Sequence, residues 1–268
     1  MPKQVFYIPH GGGPMPLMGH SGHHSMSDML RNLEDQIADS RAIVLLTAHW
    51  EEDIINFSGA QQPTMLFDYY NFPPDTYEYN YPAPGAPEIA NMARDLLDVA
   101  GLDSRIDPVR GFDHGTFVPM MLMRPKADIP ILQTSLMSSL DPAAHIAVGK
   151  ALSPLLDQGV TIIGSGLSFH NLRALLSGGP KPNAEDEDFD EWLNSTLVGG
   201  GHLEAARTER LVNWKEAPGA QFSHPREEHL LPLHMCYGAA AAAGLTAENI
   251  FREDLMGYRT SGFCWSEG

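Results

Sequence analysis

Five histidines stand where the chain changes character: His10, His49, His114, His170 and His229. His10 follows Val5-Phe6-Tyr7-Ile8-Pro9 and precedes Gly11-Gly12-Gly13-Pro14. His49 closes Ala42-Ile43-Val44-Leu45-Leu46-Thr47-Ala48, and His170 comes shortly after Val160-Thr161-Ile162-Ile163-Gly164. Short apolar, β-branched runs of this kind read as buried strands, so three of the histidines arrive at strand ends. His114 lies in the turn Gly111-Phe112-Asp113-His114-Gly115. His229 ends Ser223-His224-Pro225-Arg226-Glu227-Glu228-His229, where an acidic stretch meets an apolar one. Neutral imidazole ligates zinc, iron, copper and nickel, and its near-neutral pKa suits it to carry a proton. A single such residue is more often a core histidine bonded to a carbonyl. Five from separate segments point to a metal site.

If the strands run parallel, their C-terminal ends share one sheet edge, the place where open α/β sheets hold ligands. The expected fold is α/β: a single catalytic domain over residues 1–268, with a central, mostly parallel sheet flanked by helices and the site at the strand C-terminal ends. Further strands are expected at Ile54–Ser58 and Ile129–Leu136, with one or two edge strands within Ile250–Trp265. Helices are expected at Ser25–Ala38, Ala86–Ala100 and Pro142–Leu156, and around Phe189–Leu197 and Leu203–Trp214. Pro225 is expected to open a helix, with Ser223 or His224 as cap and Glu227 and Glu228 in its first turn. Pro63–Pro84 is dense in Phe and Tyr and reads as a lid or pocket wall. His20, His23 and His24 read as loop or pocket rim and not as ligands. His145 reads as an exposed helix residue and Pro180–Asp190 as an exposed acidic stretch; Arg110, Arg173 or Arg226 could meet a substrate carboxylate, but each reads first as a surface arginine.

The chain has 268 residues, 43% hydrophobic and 19% charged, which is the make-up of a folded globular protein. Acidic residues outnumber basic ones 34 to 17, giving a formal net charge of −17. That balance opposes binding to nucleic acid or to an anionic membrane. Cys236 and Cys264 are too few for a disulfide framework or a four-thiolate zinc site. No apolar run approaches the ~20 residues that cross a bilayer, and Met1–Tyr7 has no signal-peptide core. The expectation is a cytoplasmic protein acting on a small molecule, as a monomer or a homodimer.

A serine hydrolase would need Gly-x-Ser-x-Gly. Ile163 and Leu167 flank Ser165 at those positions, and Ser168 has His170 where the second glycine belongs. His-Glu-x-x-His is absent as well. On the residues alone, a zinc-dependent hydrolase and a non-catalytic binding protein built on the same histidines stay open.

His10-Gly-Gly-Gly-Pro, Thr47-Ala48-His49-Trp50, Gly111-Phe112-Asp113-His114-Gly115, Gly164-Ser165-Gly166 with His170-Asn171, and His224-Pro-Arg-Glu-Glu-His229 occur in that order. Together they resemble the class III extradiol ring-cleaving dioxygenases, the protocatechuate 4,5-dioxygenase superfamily, and within it the DOPA-type subfamily, over about Val5 to Gly244. The resemblance implies that His10, His49 and His229 hold a non-haem metal, that His170 is the catalytic acid/base, and that His114 orients or protonates substrate. It implies Fe(II) as cofactor, with Zn(II) also accepted by a three-histidine face. It further implies a catecholic diol and O2 as substrates and a muconic semialdehyde-type product. The chain departs from the wider pattern in having histidine at 229, beside Glu228, where the superfamily has glutamate. Its glycine run also stands where many DOPA-type members have serine.

Overall fold

The computed structural model describes residues 2–177, 184–199 and 201–268. Eight strands form one sheet: β1 Gln4–Pro9, β2 Ala42–Glu52, β3 Ile55–Ser58, β4 Ser104–Asp107, β5 Ile131–Met137, β6 Val160–Gly166, β7 Thr246–Leu255 and β8 Tyr258–Ser266. Their order is β4-β3-β5-β2-β6-β1-β8-β7. The central four, β5, β2, β6 and β1, are mutually parallel. Antiparallel pairings join β3 to β5, β1 to β8 and β7 to β8.

The strands read as unbroken apolar runs because both faces of the sheet are covered. Val5 and Tyr7 of β1 belong to one buried cluster and Phe6 and Ile8 to the other; Val44 and Leu46 of β2 are likewise opposed to Ile43 and Leu45. Helices Pro87–Val99, Pro142–Leu152 and Leu231–Ala242 cover the first face. Helices His24–Asn32 and His114–Met123 cover the second. The small-residue run from Gly238 follows from close helix packing. A Cβ on Gly149 would stand 1.9 Å from the Met235 carbonyl oxygen, and one on Gly238 2.2 Å from that of Ile146.

Several local expectations are corrected. The C-terminal helix starts at Leu231 with Pro232 in its first turn, not at Pro225. Pro225 instead ends the short helix Ala220–Ser223: it drives His224 out of the helical region, to φ −132° and ψ 84°. The helix expected over Ser25–Ala38 breaks at Leu33, after Asn32, a poor helix former, and resumes at Glu34–Ile37. The helix from Pro142 gives way after Leu152 to 3-10 turns over Ser153–Gln158, where Pro154 cannot donate. Strand β8 is internal, between β1 and β7, and of this C-terminal pair only β7 is an edge. The short strand β4, half-exposed, carried no apolar signal.

His145 is buried. Its Nδ1–H donates to the Asp141 carbonyl at 2.6 Å, and its Nε2 accepts from Met137 N–H at 3.1 Å. Of the stretch expected to be acidic and exposed, 180–183 lie outside the described residues, whereas Asp186 and Asp190 are buried. Asp186 accepts from Arg259 N–H, and Asp190 pairs with Arg252. Among the described residues, no helix is long and apolar enough to cross a membrane.

Candidate active site

The C-terminal ends of the parallel strands bring the five histidines to one place. β1 delivers His10 directly, and the His10 N–H extends the β1–β6 ladder by donating to Gly166 O at 3.3 Å. β2 stays paired with β6 through Thr47, while its ladder with β5 shifts register between Leu46 and Glu51. His49 sits in that irregularity. His114 is the first residue of the helix His114–Met123, capped by Asp113, whose side chain accepts from Thr116 N–H. Asp113 also accepts from Thr47 Oγ1 at 2.8 Å and from Arg110 Nη2 at 3.1 Å. Arg110 in turn donates to the His49 carbonyl at 3.3 Å and lies over the Trp50 ring. These bonds tie the end of β2 to the helix start, so the His49 and His114 ring centroids are 3.9 Å apart. Burial, and then the nearby Asp68, raise the Asp113 pKa, against the pull of Arg110.

His229 lies in the turns before helix Leu231–Ala242. Its carbonyl accepts from Tyr7 Oη at 2.8 Å and Leu167 N–H at 3.1 Å, which presses this segment onto the end of β6. The contact needs glycine at 166, where a Cβ would stand 2.1 Å from that carbonyl oxygen. His229 stacks on His170 with centroids 3.4 Å apart, and its own centroid is 5.2 Å from that of His10 and 4.9 Å from that of His49.

Each of the five rings has its Nδ1 near an oxygen. His10 Nδ1 is 3.0 Å from Ser165 Oγ, and Ser165 gives its own proton to the Gly115 carbonyl. The serine must therefore accept, so His10 carries its proton on Nδ1. His114 Nδ1 is 2.8 Å from Asp68 Oδ1, and His49 Nδ1 is 3.7 Å from Asp68 Oδ2. His170 and His229 both direct Nδ1 to Glu228 Oε1, each at 3.0 Å. In His10, His114, His170 and His229, with Nδ1–H held by an oxygen, Nε2 keeps its lone pair, the arrangement in which outer carboxylates and hydroxyls orient metal-binding histidines. His10 Nε2 and His49 Nε2 stand 3.0 Å apart. His49 Nε2–H can donate to the His10 lone pair across this distance; with the His49 proton on Nδ1 instead, the two lone pairs suit a cation shared between them.

Electrostatics keep the rings of His10, His49 and His229 neutral. Burial, followed by the neighbouring histidines, pushes the pKa of His10 and of His49 well below the ordinary value. Burial, then His170, brings His229 down to about 3. Burial alone would raise Glu228, but its bonds to His170 and His229 hold it well below the usual carboxylate range. Asp68 is opposed by burial and held low by His114. One nitrogen each from His10, His49 and His114 lies within 4.8 Å of the others, as does one donor each from His170, Glu228 and His229. Neutral nitrogen donors flanked by ionised carboxylates fit a divalent transition metal.

All five expected site residues line one cavity of about 900 Å³. The aromatic segment expected as a pocket wall contributes Tyr69, Tyr70 and Phe72 to it. Asp68, from the same segment, is the functional residue that the sequence reading missed, being one carboxylate among aromatics with no spacing to mark it. Glu228, which stands beside His229, contacts the Nδ1 atoms of both His170 and His229. Arg226 is more than a surface arginine: it grips Glu51 with two bonds of 2.6 Å and reaches Glu228 at 3.3 Å. Of the three loop histidines, His23 is buried against the cavity, where its Nε2 accepts from Gly12 N–H at 3.2 Å.

The family of the catalytic LigB subunit of aromatic ring-opening dioxygenase matches residues 4–263. "Dioxygenase tasH" of Hapsidospora irregularis is 44% identical over 254 residues, covering 88% of this chain and 78% of that protein. The "4,5-DOPA dioxygenase extradiol" of Beta vulgaris is 39% identical over 244 residues, covering 89% of this chain and 87% of that one. Among solved structures, the uncharacterized protein JW3007 from Escherichia coli K12 superposes with a TM-score of 0.77 at 26% identity, covering 98% of this chain and 99% of that one.

Proposed function

The chain belongs to the LigB family of aromatic ring-opening dioxygenases, and from that premise we propose that it opens the ring of a catecholic diol with O2, using non-haem Fe(II), to a muconic semialdehyde-type product. The observation that carries this reading is the set of five histidines around one cavity, each with Nδ1 turned to an oxygen. Such a site offers nitrogen donors for a metal and a free imidazole for proton transfer.

The proposed ligands are His10, His49 and His229. The first two have facing Nε2 atoms, and His229 is fixed through Glu228 and through its own carbonyl. When bound, Fe(II) supplies the redox chemistry that lets O2 react with an aromatic ring. His170 is the proposed acid/base. Glu228 takes its Nδ1–H, so its Nε2 can accept a phenolic proton from the bound diol and return it to oxygen later in the cycle. His114, held through both its backbone N–H and its Nδ1 by Asp68, is placed to orient the diol. Tyr69 and Phe72 wall the cavity and keep water from the ring. Both atoms of O2 end in the product, one on each side of the broken carbon–carbon bond.

The test is product analysis with isotopically labelled O2 on the iron-loaded protein and a catechol. A ring-opened semialdehyde carrying both labelled atoms supports the reading. A quinone without label, or hydrolysis of an ester or amide in the absence of O2, contradicts it.

A further inference from the structure

The cavity is much larger than a catechol ring, and one of its walls is apolar in an unusual way. The helix Leu172–Ser177 buries none of its residues. Yet Leu172, Leu175 and Leu176, spaced i, i+3 and i+4, share one face and line the cavity that holds the five histidines. Leu172 is 57% exposed and Leu176 73%. An apolar stripe on a short helix normally packs on the core; here it faces the cavity. Phe169 on the same segment, and Leu255 and Met256 at the β7–β8 turn, continue the same wall.

The charged lining points the same way. Histidines aside, the charged side chains among the described lining residues are Glu51, Asp68 and Glu228, all carboxylates. Asp68 and Glu228 are taken up by the histidines, and Glu51 by Arg226, whose guanidinium is thereby turned to protein carboxylates. This lining repels an anionic substituent and offers an uncharged apolar one a surface to cover.

Resting on the ring-opening reading, we propose that the substrate is a catechol bearing an uncharged apolar substituent, alkyl or aryl, which lies on the leucine face of Leu172–Ser177. The diol sits among the histidines and the substituent runs along Leu172, Leu175 and Leu176 towards the opening. Burying each methylene of such an arm adds a favourable increment, so affinity rises with chain length until the wall ends.

The experiment compares catechol, 4-butylcatechol and 3,4-dihydroxyphenylacetate on the Fe(II)-loaded enzyme. It uses two readouts: kcat/KM from O2 uptake, and anaerobic equilibrium binding followed by tryptophan fluorescence. The butyl compound should exceed catechol by about tenfold or more in both, and the carboxylated one should fall below catechol. Leu172→Asn and Leu176→Asn, at positions exposed enough to spare the fold, should each reduce the butyl-to-catechol ratio several-fold. Ring opening with no gain from the butyl arm, or with preference for the carboxylate, overturns the inference and leaves the ring-opening reading standing. Binding that favours the butyl arm with no O2 uptake from any diol overturns ring opening and leaves the apolar wall as a ligand site. If the leucine variants do not change the binding ratio, the wall is wrongly placed.

Discussion

His10 and His49 face each other with Nε2 atoms 3.0 Å apart, while Nδ1 of His10 is engaged by Ser165 and that of His49 lies near Asp68. Two imidazole lone pairs directed at each other repel unless a proton or a metal lies between them. Burial and neighbouring histidines push both pKa values well down, which disfavours an imidazolium. The pair then shares the contact either as a hydrogen bond from a neutral His49 Nε2–H or, with His49 protonated at Nδ1, as two lone pairs open to a metal.

The roles separate by variant. His49→Ala and His229→Ala should lose bound iron, measured by elemental analysis after gel filtration. His170→Ala should keep its iron and lose about 10²–10⁴-fold in kcat. His114→Ala is the decisive comparison, because a nitrogen of His114 joins those of His10 and His49 within 4.8 Å. Iron retained in His114→Ala and lost in His229→Ala supports the proposed ligand set, and the opposite pair of results assigns His114 as the third ligand.

Two carboxylates act through the rings they hold. Glu228→Gln should weaken metal binding about 10–100-fold, since Glu228 orients His229, and should slow turnover because it also orients His170. Asp68→Asn should lower kcat about 10–100-fold with a smaller effect on metal content, because its close bonds go to His114 and its contact with His49 is longer. Competition with a chelator measures the first effect and steady-state kinetics the second. Equal metal loss in both variants would contradict the division of labour.

Gly166→Ala tests how the His229 segment is held. Its Cβ would meet the His229 carbonyl at 2.1 Å, displacing it from Tyr7 and Leu167. A destabilisation of about 1–3 kcal/mol in urea unfolding is expected, with weakened metal binding. Unchanged stability would mean that the β6 end and the turn can part without cost.

Acid sensitivity follows from histidines outside the site. Burial lowers His145 from 6.5 to about 4 and His224 from 6.5 to about 3. Below pH 6.5 the unfolded chain takes up these protons and the folded chain does not. Stability is therefore fully present above pH 6.5 and falls as pH drops towards the folded-state values. Each residue accounts for about 2 kcal/mol lost between pH 6.5 and 5. Urea titrations at pH 7 and pH 5 read the loss, and His145→Gln should show a smaller difference between the two pH values than the parent. An equal difference would mean that His145 charges in the folded state.

The sequence was most legible where chemistry coincides with sheet topology. Val5–Ile8, Ala42–Leu46 and Val160–Gly164 are continuous apolar runs because both faces of the sheet are covered, and their C-terminal ends bring His10, His49 and His170 to one edge. What stayed hidden depends on tertiary contact. His145 looked like a surface residue because its helix, apolar and alanine-rich nearly all round, shows little contrast between its faces, yet its Nε2 meets the Met137 N–H. Pro225 and Pro232 both offer a helix start, and only the turn held against β6 makes Pro232 the one used. Asp68 could not be found from spacing, since its partners His49 and His114 lie on other elements.

The most direct test of the central claim is O2 consumption by protein stripped of metal and reloaded anaerobically, in parallel, with Fe(II) or Zn(II), then mixed with a catechol. The account predicts rapid uptake with a ring-opened, coloured product in the iron sample and none in the zinc sample. Absence of uptake from the iron-loaded protein, with the metal demonstrably bound and the diol seated, would contradict it.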